Sequence, residues 1–334
     1  MDIYLLLKIA VENEASDVFL MPKRYPLMKV SSNLYRITED IVSEENTEII
    51  AKKLLSGSKN NYDTDFKKEI DISIEIKNLC RARVNIFKYI NGIGVSIRLI
   101  PFSIPSPESM RIPNIVMDMT NYSKGIVIVS GTAGSGKSTT LACMIDKINS
   151  TKDFHIITIE DPIEFKHTQK MSIVTQREVG EHTKSYKTAI KSAMRQSPNV
   201  ILLGELRDYK TISAAITAAE TGHIVFSTLH TIGAINTIER IVDVFPHNGQ
   251  NQIRMQLAMS LNAVISQKLV KTSDGSMHPV FEILVATQAV KNIIREGKTH
   301  QLQNIISTNK AEGMIDMESS LLELHKKGII NFSQ

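Results

Sequence analysis

The 334-residue sequence has few cysteines, no long apolar run and little excess charge. Its two cysteines, Cys80 and Cys143, are too few for a four-thiolate zinc site, and a structural disulfide is not expected between the segments that hold them. No apolar run approaches the ~20 residues that a membrane-spanning helix needs. The N-terminus also lacks a basic leader followed by a cleavage site. These absences predict a protein that is made and kept in the cytoplasm.

The net charge of +4 is too small to indicate nucleic acid binding by itself. Because no basic stripe with interleaved aromatic residues occurs either, we expect no nucleic acid partner. With 42% hydrophobic and 22% charged residues, the composition is ordinary for a globular protein. The length predicts two domains of ~150 residues each.

The first hundred residues mix short helical and strand patterns. Alternating apolar residues predict strands over residues 70–76, 80–90 and 93–100, and Asn91-Gly92 is the preferred two-residue hairpin turn. That turn sets Arg98 opposite Asn85, with the other two arginines of the hairpin on the same side.

Three arginines of this hairpin, Arg81, Arg83 and Arg98, are thus predicted to share one face of the sheet. A solvated basic face and a phosphate-contacting face both fit this pattern. Four prolines interrupt residues 101–113, which predicts an interdomain linker there. The predicted division is therefore an N-terminal domain over 1–100, a linker over 101–113 and a second domain over 114–334.

Beyond the linker, apolar runs alternate with helix patterns. Strands are predicted at 125–130, 154–160, 199–204 and 223–229, and helices at 137–148, 184–196 and 208–220. This alternation is typical of an α/β fold around a mainly parallel sheet. The remainder from Ile235 is predicted to be mostly helical, with one hairpin around residues 273–275.

A complete phosphate-binding loop follows the first of these strands. The pattern GxxxxGK[ST] is met by Gly131, Thr132, Ala133, Gly134, Ser135, Gly136, Lys137 and Ser138, with Thr139 next in the helix. Glycines let backbone N–H groups converge on a phosphate, and the helix N-terminus adds partial positive charge. We expect ATP and Mg²⁺ here, with Lys137 on the β/γ phosphate oxygens and Ser138 as a metal ligand.

Polar residues at the ends of the other predicted strands complete a candidate site, because ligands of an α/β sheet lie beyond the carboxyl ends of its strands. Glu205 follows a buried strand run, so we assign it to Mg²⁺ and the attacking water, and Glu164 to orienting that water. His223 and His230 flank the strand at 223–229, and either could instead be a structural histidine.

Several motifs of the chain resemble those of a known family. They are residues 15–17 (ASD), 83–85 (RVN), 98–101 (RLIP), 158–165 (TIEDPIEF), 176–179 (QREV), 204–208 (GELRD), 217–223 (TAAETGH), 228–230 (TLH), 266–267 (SQ) and 289–296 (AVKNIIRE). Together with the phosphate loop they resemble the secretion ATPases of type II and type IV systems, most closely the PilT-like type IV pilus retraction ATPases. The likeness covers nearly the whole chain.

The resemblance implies a PAS-like N-terminal domain, a RecA-like ATPase motor domain and a homohexamer with ATP near the domain interface. By this resemblance, Glu160, Asp161 and Glu164 correspond to the family's acidic motif, and Glu205 corresponds to its glutamate on the metal side. His223 and His230 correspond to its histidine motif. It also implies that Arg81, Arg83 and Arg98 approach the nucleotide across a subunit boundary.

For function, the resemblance implies a motor for pilus retraction and twitching-type motility. Its partners would be an inner-membrane platform protein at the pilus base and a paralogous motor, which places it peripherally at the inner face of the cytoplasmic membrane. Residues 289–296 resemble the retraction-specific box, with Val290 and Lys291 replacing its usual isoleucine and arginine.

Ser197 and Asn199 stand where the family has aspartates. That departure leaves a second interpretation open, in which the chain is an accessory ring subunit that binds nucleotide but hydrolyses little of it. A third reading is an ATPase that energises secretion.

Overall fold

The computed structural model describes residues 1–30, 33–56, 66, 69–77, 79–100 and 103–331. The chain divides into two compact units, Met1–Ser103 and Ile104–Gln334. Within the predicted linker, Pro101 and Phe102 lie outside the described residues, whereas residues 104–113 belong to the second unit. Ile112 is buried there, and the Cys143 thiol donates to the Pro105 carbonyl at 3.2 Å.

The first unit is an antiparallel sheet with helices packed on one face. Its helices are α1 (Ile3–Glu12) and α2 (Glu44–Ser56), and its strands are β1 (Asp17–Leu20), β2 (Leu27–Val30), β3 (Asn33–Arg36), β4 (Ile70–Ile76), β5 (Cys80–Tyr89) and β6 (Gly92–Ile100). The strand order is β3-β2-β1-β6-β5-β4. Alternate residues of the central strands, such as Val84 and Ile97, are fully buried, because they face the apolar sides of both helices.

The register of the β5–β6 hairpin differs from the predicted one. Tyr89 pairs with Gly92, so Ile90 and Asn91 form the turn and Arg98 lies opposite Arg83 rather than Asn85. Gly92 accordingly uses a positive φ of 112°, directly after the turn. A shift by two residues leaves every side chain on its own face, so the apolar alternation could not distinguish the two registers.

The three arginines do share one face, but acidic residues on neighbouring strands accompany them. The neighbours are Asp17 for Arg98, Asp71 for Arg83 and Glu75 for Arg81. Arg98 donates to Asp17 at 3.1 Å, and the Arg83 and Asp71 side chains lie 3.8 Å apart. The face is therefore mixed in charge, which corrects the predicted basic face.

The second unit is a seven-stranded sheet with the order β13-β12-β7-β11-β10-β8-β9. Its strands are β7 (Gly125–Ser130), β8 (His155–Glu160), β9 (Ile173–Glu178), β10 (Val200–Leu203), β11 (Ile224–Leu229), β12 (Leu261–Lys271) and β13 (Met277–Val285). All neighbours are parallel except β12 and β13. The predicted parallel α/β sheet is confirmed, but β9 was missed and β12 extends well beyond the expected hairpin.

Helices cover both faces of this sheet. They are α3 (Asn114–Asp118), α4 (Lys137–Thr151), α5 (Tyr186–Ala193), α6 (Tyr209–Glu220), α7 (Ala234–Asp243), α8 (His247–Ser260), α9 (Gln288–Glu296), α10 (Leu302–Thr308) and α11 (Met317–Lys326). α4 packs against one face, and α5 to α10 pack against the other. Across the part of the chain that the structure describes, no helix has the length and apolar character needed to cross a membrane.

Candidate nucleotide-binding site

The phosphate-binding loop joins β7 to α4 at the centre of the sheet. Gly131, Gly134 and Gly136 take positive φ values of 144°, 76° and 90°, which turn the chain tightly between strand and helix. Gly136 is the N-cap of α4, and no side chain caps the helix there. The first N–H groups of α4 are thus left for an anion, as a phosphate site requires.

Two of these glycines are also required by close packing against Gln267 of β12. A Cβ on Gly131 would lie 2.1 Å from the Gln267 carbonyl oxygen, and a Cβ on Gly136 would lie 2.7 Å from its Nε2 atom. By contrast, a Cβ on Gly134 would meet nothing within 4 Å. The loop is therefore packed against β12 at Gly131 and Gly136 but is open to solvent at Gly134, so phosphates can approach it from the open side.

Lys137 is buried at the first position of α4, and its ammonium group turns back into the loop. Nζ donates to the carbonyls of Gly131 and Thr132, both at 2.8 Å. Burial lowers the pKa of Lys137, while the carboxylate of Glu164 acts in the opposite direction. The structure therefore brings Glu164 into electrostatic range of the loop lysine.

Glu205 and His230 meet at the ends of β10 and β11. His230 Nε2 lies 3.0 Å from Glu205 Oε2, and Arg207 forms an ion pair with the other carboxylate oxygen. Only 13% of the Glu205 side chain is exposed, compared with 59% for His230. Burial, followed by the positive charges of Lys137 and Arg207, lowers the pKa of His230. This shift favours the neutral form of the imidazole.

A cavity of about 30 Å³ lies beside Ser138, with Thr158, Glu160 and Gly204 in its lining. This volume is about that of one water molecule. The Glu160 carboxylate accepts from the Thr158 hydroxyl at 2.6 Å. Burial nevertheless raises the pKa of Glu160 to about 7, so this carboxyl is partly protonated at neutral pH.

We predict a pH-dependent stability that arises from Glu160. Because its pKa rises from 4.5 to about 7 on folding, the protonated form stabilises the native state fully below pH 4.5, and this contribution is lost as the pH rises through 7. Urea titrations in Mg²⁺-free buffer at pH 5 and 7.5 should show a loss of about 2 kcal/mol relative to the Glu160→Gln variant. Equal pH dependence in both proteins would contradict the prediction.

His223 and Asn199 lie at the amino ends of their strands, whereas the phosphate loop follows the carboxyl end of β7. His223 precedes β11, and its carbonyl accepts from the Gly125 amide at the start of β7, a whole strand away from the phosphate loop. Its ring contacts the Ala218 carbonyl at 2.9 Å. Asn199 precedes β10 and accepts from the Ile224 amide. Within one chain, the structure therefore brings His230 to the loop but not His223, and the aspartate replacements lie outside this site.

The oxygen-bearing side chains of this region are of the kind that ligate Mg²⁺ beside a nucleotide. Within the described ranges no three or more His, Cys, Asp or Glu side chains are grouped to hold a metal ion. Mg²⁺ at a nucleotide, however, takes only one or two protein ligands beside phosphates and water. Ser138 and Glu205, which follow β7 and β10, supply oxygen ligands of the required kind.

Sequence reasoning missed the part that Gln267 and Arg207 play in this geometry. The Thr140 hydroxyl, in the first turn of α4, donates to Gln267 Oε1 at 2.7 Å across 127 residues of chain. Polar residues inside the apolar strand β12 are a signal in the sequence, but that signal does not identify the partner that they contact. Arg207 appears in the sequence only as part of the 204–208 motif, and the structure pairs it with Glu205.

Comparisons with known proteins find relatives that match nearly the whole chain. A family model described as type II/IV secretion system protein matches residues 2–327. The chain is 44% identical to a twitching motility protein of Neisseria gonorrhoeae, over 91% of this chain and 82% of that one. It is 40% identical to the type IV pilus retraction ATPase PilT of Pseudomonas aeruginosa, over 99% and 96%. A crystal structure of the pilus retraction motor PilT with bound ADP superposes with a TM-score of 0.89 and 37% identity, over 99% and 95%.

Proposed function

Because the chain belongs to the type II/IV secretion system protein family, we propose that it is an ATPase motor that powers retraction of a type IV pilus. The observation that carries the proposal is that the phosphate loop with its buried Lys137 follows β7, while the contact between Glu205 and His230 lies at the same ends of the parallel strands β10 and β11. Relatives named for pilus retraction match along nearly the full chain and support the same conclusion.

In the proposed reaction, the glycine turn and the N-terminus of α4 bind the phosphates of ATP. Lys137 neutralises the β/γ phosphate oxygens, and Ser138 and Glu205 would hold Mg²⁺. When bound, Mg²⁺ would offset the negative charge that develops on the transferred phosphoryl group. Glu164 orients the attacking water. His230 keeps the Glu205 carboxylate in place through their 3.0 Å contact, and His223 has no role at the phosphates of its own chain.

The proposal includes a ring of six copies in which the arginines of one copy serve a neighbour. Arg81, Arg83 and Arg98 share one face of their sheet, where acidic residues accompany them. In the proposed ring, their side chains would exchange these acidic neighbours for a phosphate of the next copy. An arginine supplied in this way contributes about 10³ to 10⁵ in rate in other nucleotide hydrolases. The proposed partners are a membrane platform protein at the pilus base and a paralogous motor, so the ring would work in the cytoplasm at the membrane.

Turnover per chain tests whether neighbouring copies complete the site. We expect the Mg²⁺-dependent ATPase rate per chain to rise with protein concentration and then saturate as rings assemble. The Arg83→Ala and Arg98→Ala variants should form rings of unchanged mass but hydrolyse ATP more slowly, and Arg24→Ala, an exposed arginine of the first unit, serves as a control. A per-chain rate independent of concentration would contradict the shared site.

A further inference from the structure

The N-terminus of α7 is held by side chains from two distant strands. The N-cap Gly233 provides no side-chain cap. Instead the Gly233 amide donates to the Ser266 hydroxyl at 2.9 Å, and the Ala234 amide donates to Glu282 Oε1 at 2.6 Å. Ser266 and Glu282 face each other across β12 and β13, and both are buried. The hairpin therefore replaces the local cap that most helices carry in their own sequence.

This support bears directly on His230, because only Thr231 and Ile232 separate it from Gly233. The Thr237 hydroxyl donates to the Gly233 carbonyl at 2.7 Å and also lies 2.8 Å from the Thr231 hydroxyl. The loop from His230 to Gly233 is thus tied to the first turn of α7. Any displacement of that turn would be transmitted to the contact between His230 and Glu205.

The next residue on β12 faces the other side of the sheet, since side chains alternate along a strand. There Gln267 accepts from the Thr140 hydroxyl in the first turn of α4, and it packs under Gly131 and Gly136. Gln267 is 5% exposed, so its amide is committed to these contacts. Consecutive residues of one strand consequently hold the phosphate loop from one face and the His230 loop from the other.

Glu282 is a costly residue to place in this position. Burial raises the pKa of its carboxyl, and the hydrogen bond from Ala234 acts against that rise. A buried carboxylate is tolerated only where donors compensate for the lost hydration, as the N–H groups and partial positive charge of a helix N-terminus do. An apolar residue would fill the same space without the desolvation cost of a carboxylate, but it could not accept a hydrogen bond from the Ala234 amide.

We propose that Ser266, Gln267 and Glu282 form a brace that sets the position of the His230 loop relative to the phosphate-binding loop. This inference rests on the proposed function, and it makes the three side chains positioning residues that act through His230, Glu205 and the loop. The brace has two arms. Ser266 and Glu282 govern turnover through the His230 loop, and Gln267 governs nucleotide affinity through the phosphate loop.

The two arms are separable by experiment on the full chain. Ser266→Ala and Glu282→Leu should lower ATP turnover by roughly ten- to a hundredfold, because a small misplacement of a catalytic group has that effect. Both should keep their affinity for a fluorescent ADP analogue. Gln267→Leu should instead weaken binding of that analogue by roughly tenfold. Glu282→Gln keeps the oxygen that accepts from Ala234 and should recover most of the turnover that Glu282→Leu loses.

Amide hydrogen exchange provides a readout that needs no activity. Ser266→Ala should speed exchange in residues 231–237 by roughly tenfold, as expected when one hydrogen bond that holds a helix end is lost. Ser307→Ala, at an exposed serine of α10, should change neither exchange nor turnover. If the wild-type chain hydrolyses no ATP, the proposed function fails, and exchange alone then decides the brace. The proposed brace would be overturned if amide exchange in folded Ser266→Ala and Glu282→Leu matched that of the wild type. It would also be overturned if the variants lost turnover only in proportion to their fall in Tm.

Discussion

The Lys137→Ala variant is expected to lose ATP turnover almost completely, by roughly 10²- to 10³-fold or more. Lys137 is the cation at the centre of the phosphate loop, and its buried ammonium group already lies within the loop, 2.8 Å from two backbone carbonyls. Without it, phosphates held by the backbone amides would lack their nearest counter-charge. Steady-state hydrolysis would measure the loss of turnover, and titration with a fluorescent ATP analogue would measure the loss of nucleotide affinity.

Lys191→Ala is the matched control for this variant, because Lys191 is an exposed lysine on α5. It should hydrolyse ATP at the wild-type rate. Thermal unfolding of both variants would establish that they are folded. Substantial turnover by folded Lys137→Ala would show that the loop does not bind the phosphates that are hydrolysed.

The Glu205→Gln variant should still bind nucleotide but hydrolyse it roughly 10²- to 10³-fold more slowly. The substitution preserves shape but removes the charge that pairs with Arg207 and faces His230. It would also weaken the proposed metal ligand, since a neutral amide is a poorer partner for Mg²⁺ than a carboxylate. Single-turnover hydrolysis, together with affinity for ATP measured at saturating Mg²⁺, would separate chemistry from binding.

Glu312→Gln, at an exposed position outside the site, provides the charge-matched control and should behave as wild type. A Glu205→Gln protein with normal hydrolysis would remove Glu205 from the reaction. A protein that failed to bind ATP at all would assign Glu205 to binding rather than to hydrolysis.

The sequence was sufficient for the elements whose signal is local. The glycine turn after an apolar strand predicted the loop, and the alternation of strand and helix patterns predicted the parallel sheet. It was insufficient where two arrangements satisfy the same local pattern. The β5–β6 register differs by two residues from the prediction because that shift moves no side chain to the other face of the sheet.

Long-range contacts account for the other differences. His223 and His230 flank one strand, and motif resemblance joined them, but a strand of six residues separates its two ends by about 20 Å. The brace formed by Ser266, Gln267 and Glu282 could not be foreseen, because its partners Thr140, Gly233 and Ala234 are distant in the chain. Polar residues inside an apolar strand such as β12 were the available signal, and only the structure shows what they hold.

Time-lapse imaging of labelled pili in cells that lack this protein tests the motor proposal most directly. Cells supplied with the wild-type chain should extend and retract their pili. Cells supplied with Lys137→Ala should extend pili that do not retract, at equal protein levels and with pilin unchanged. Retraction that persists without the protein, or that Lys137→Ala fully restores, would contradict a retraction motor driven by ATP hydrolysis at this site.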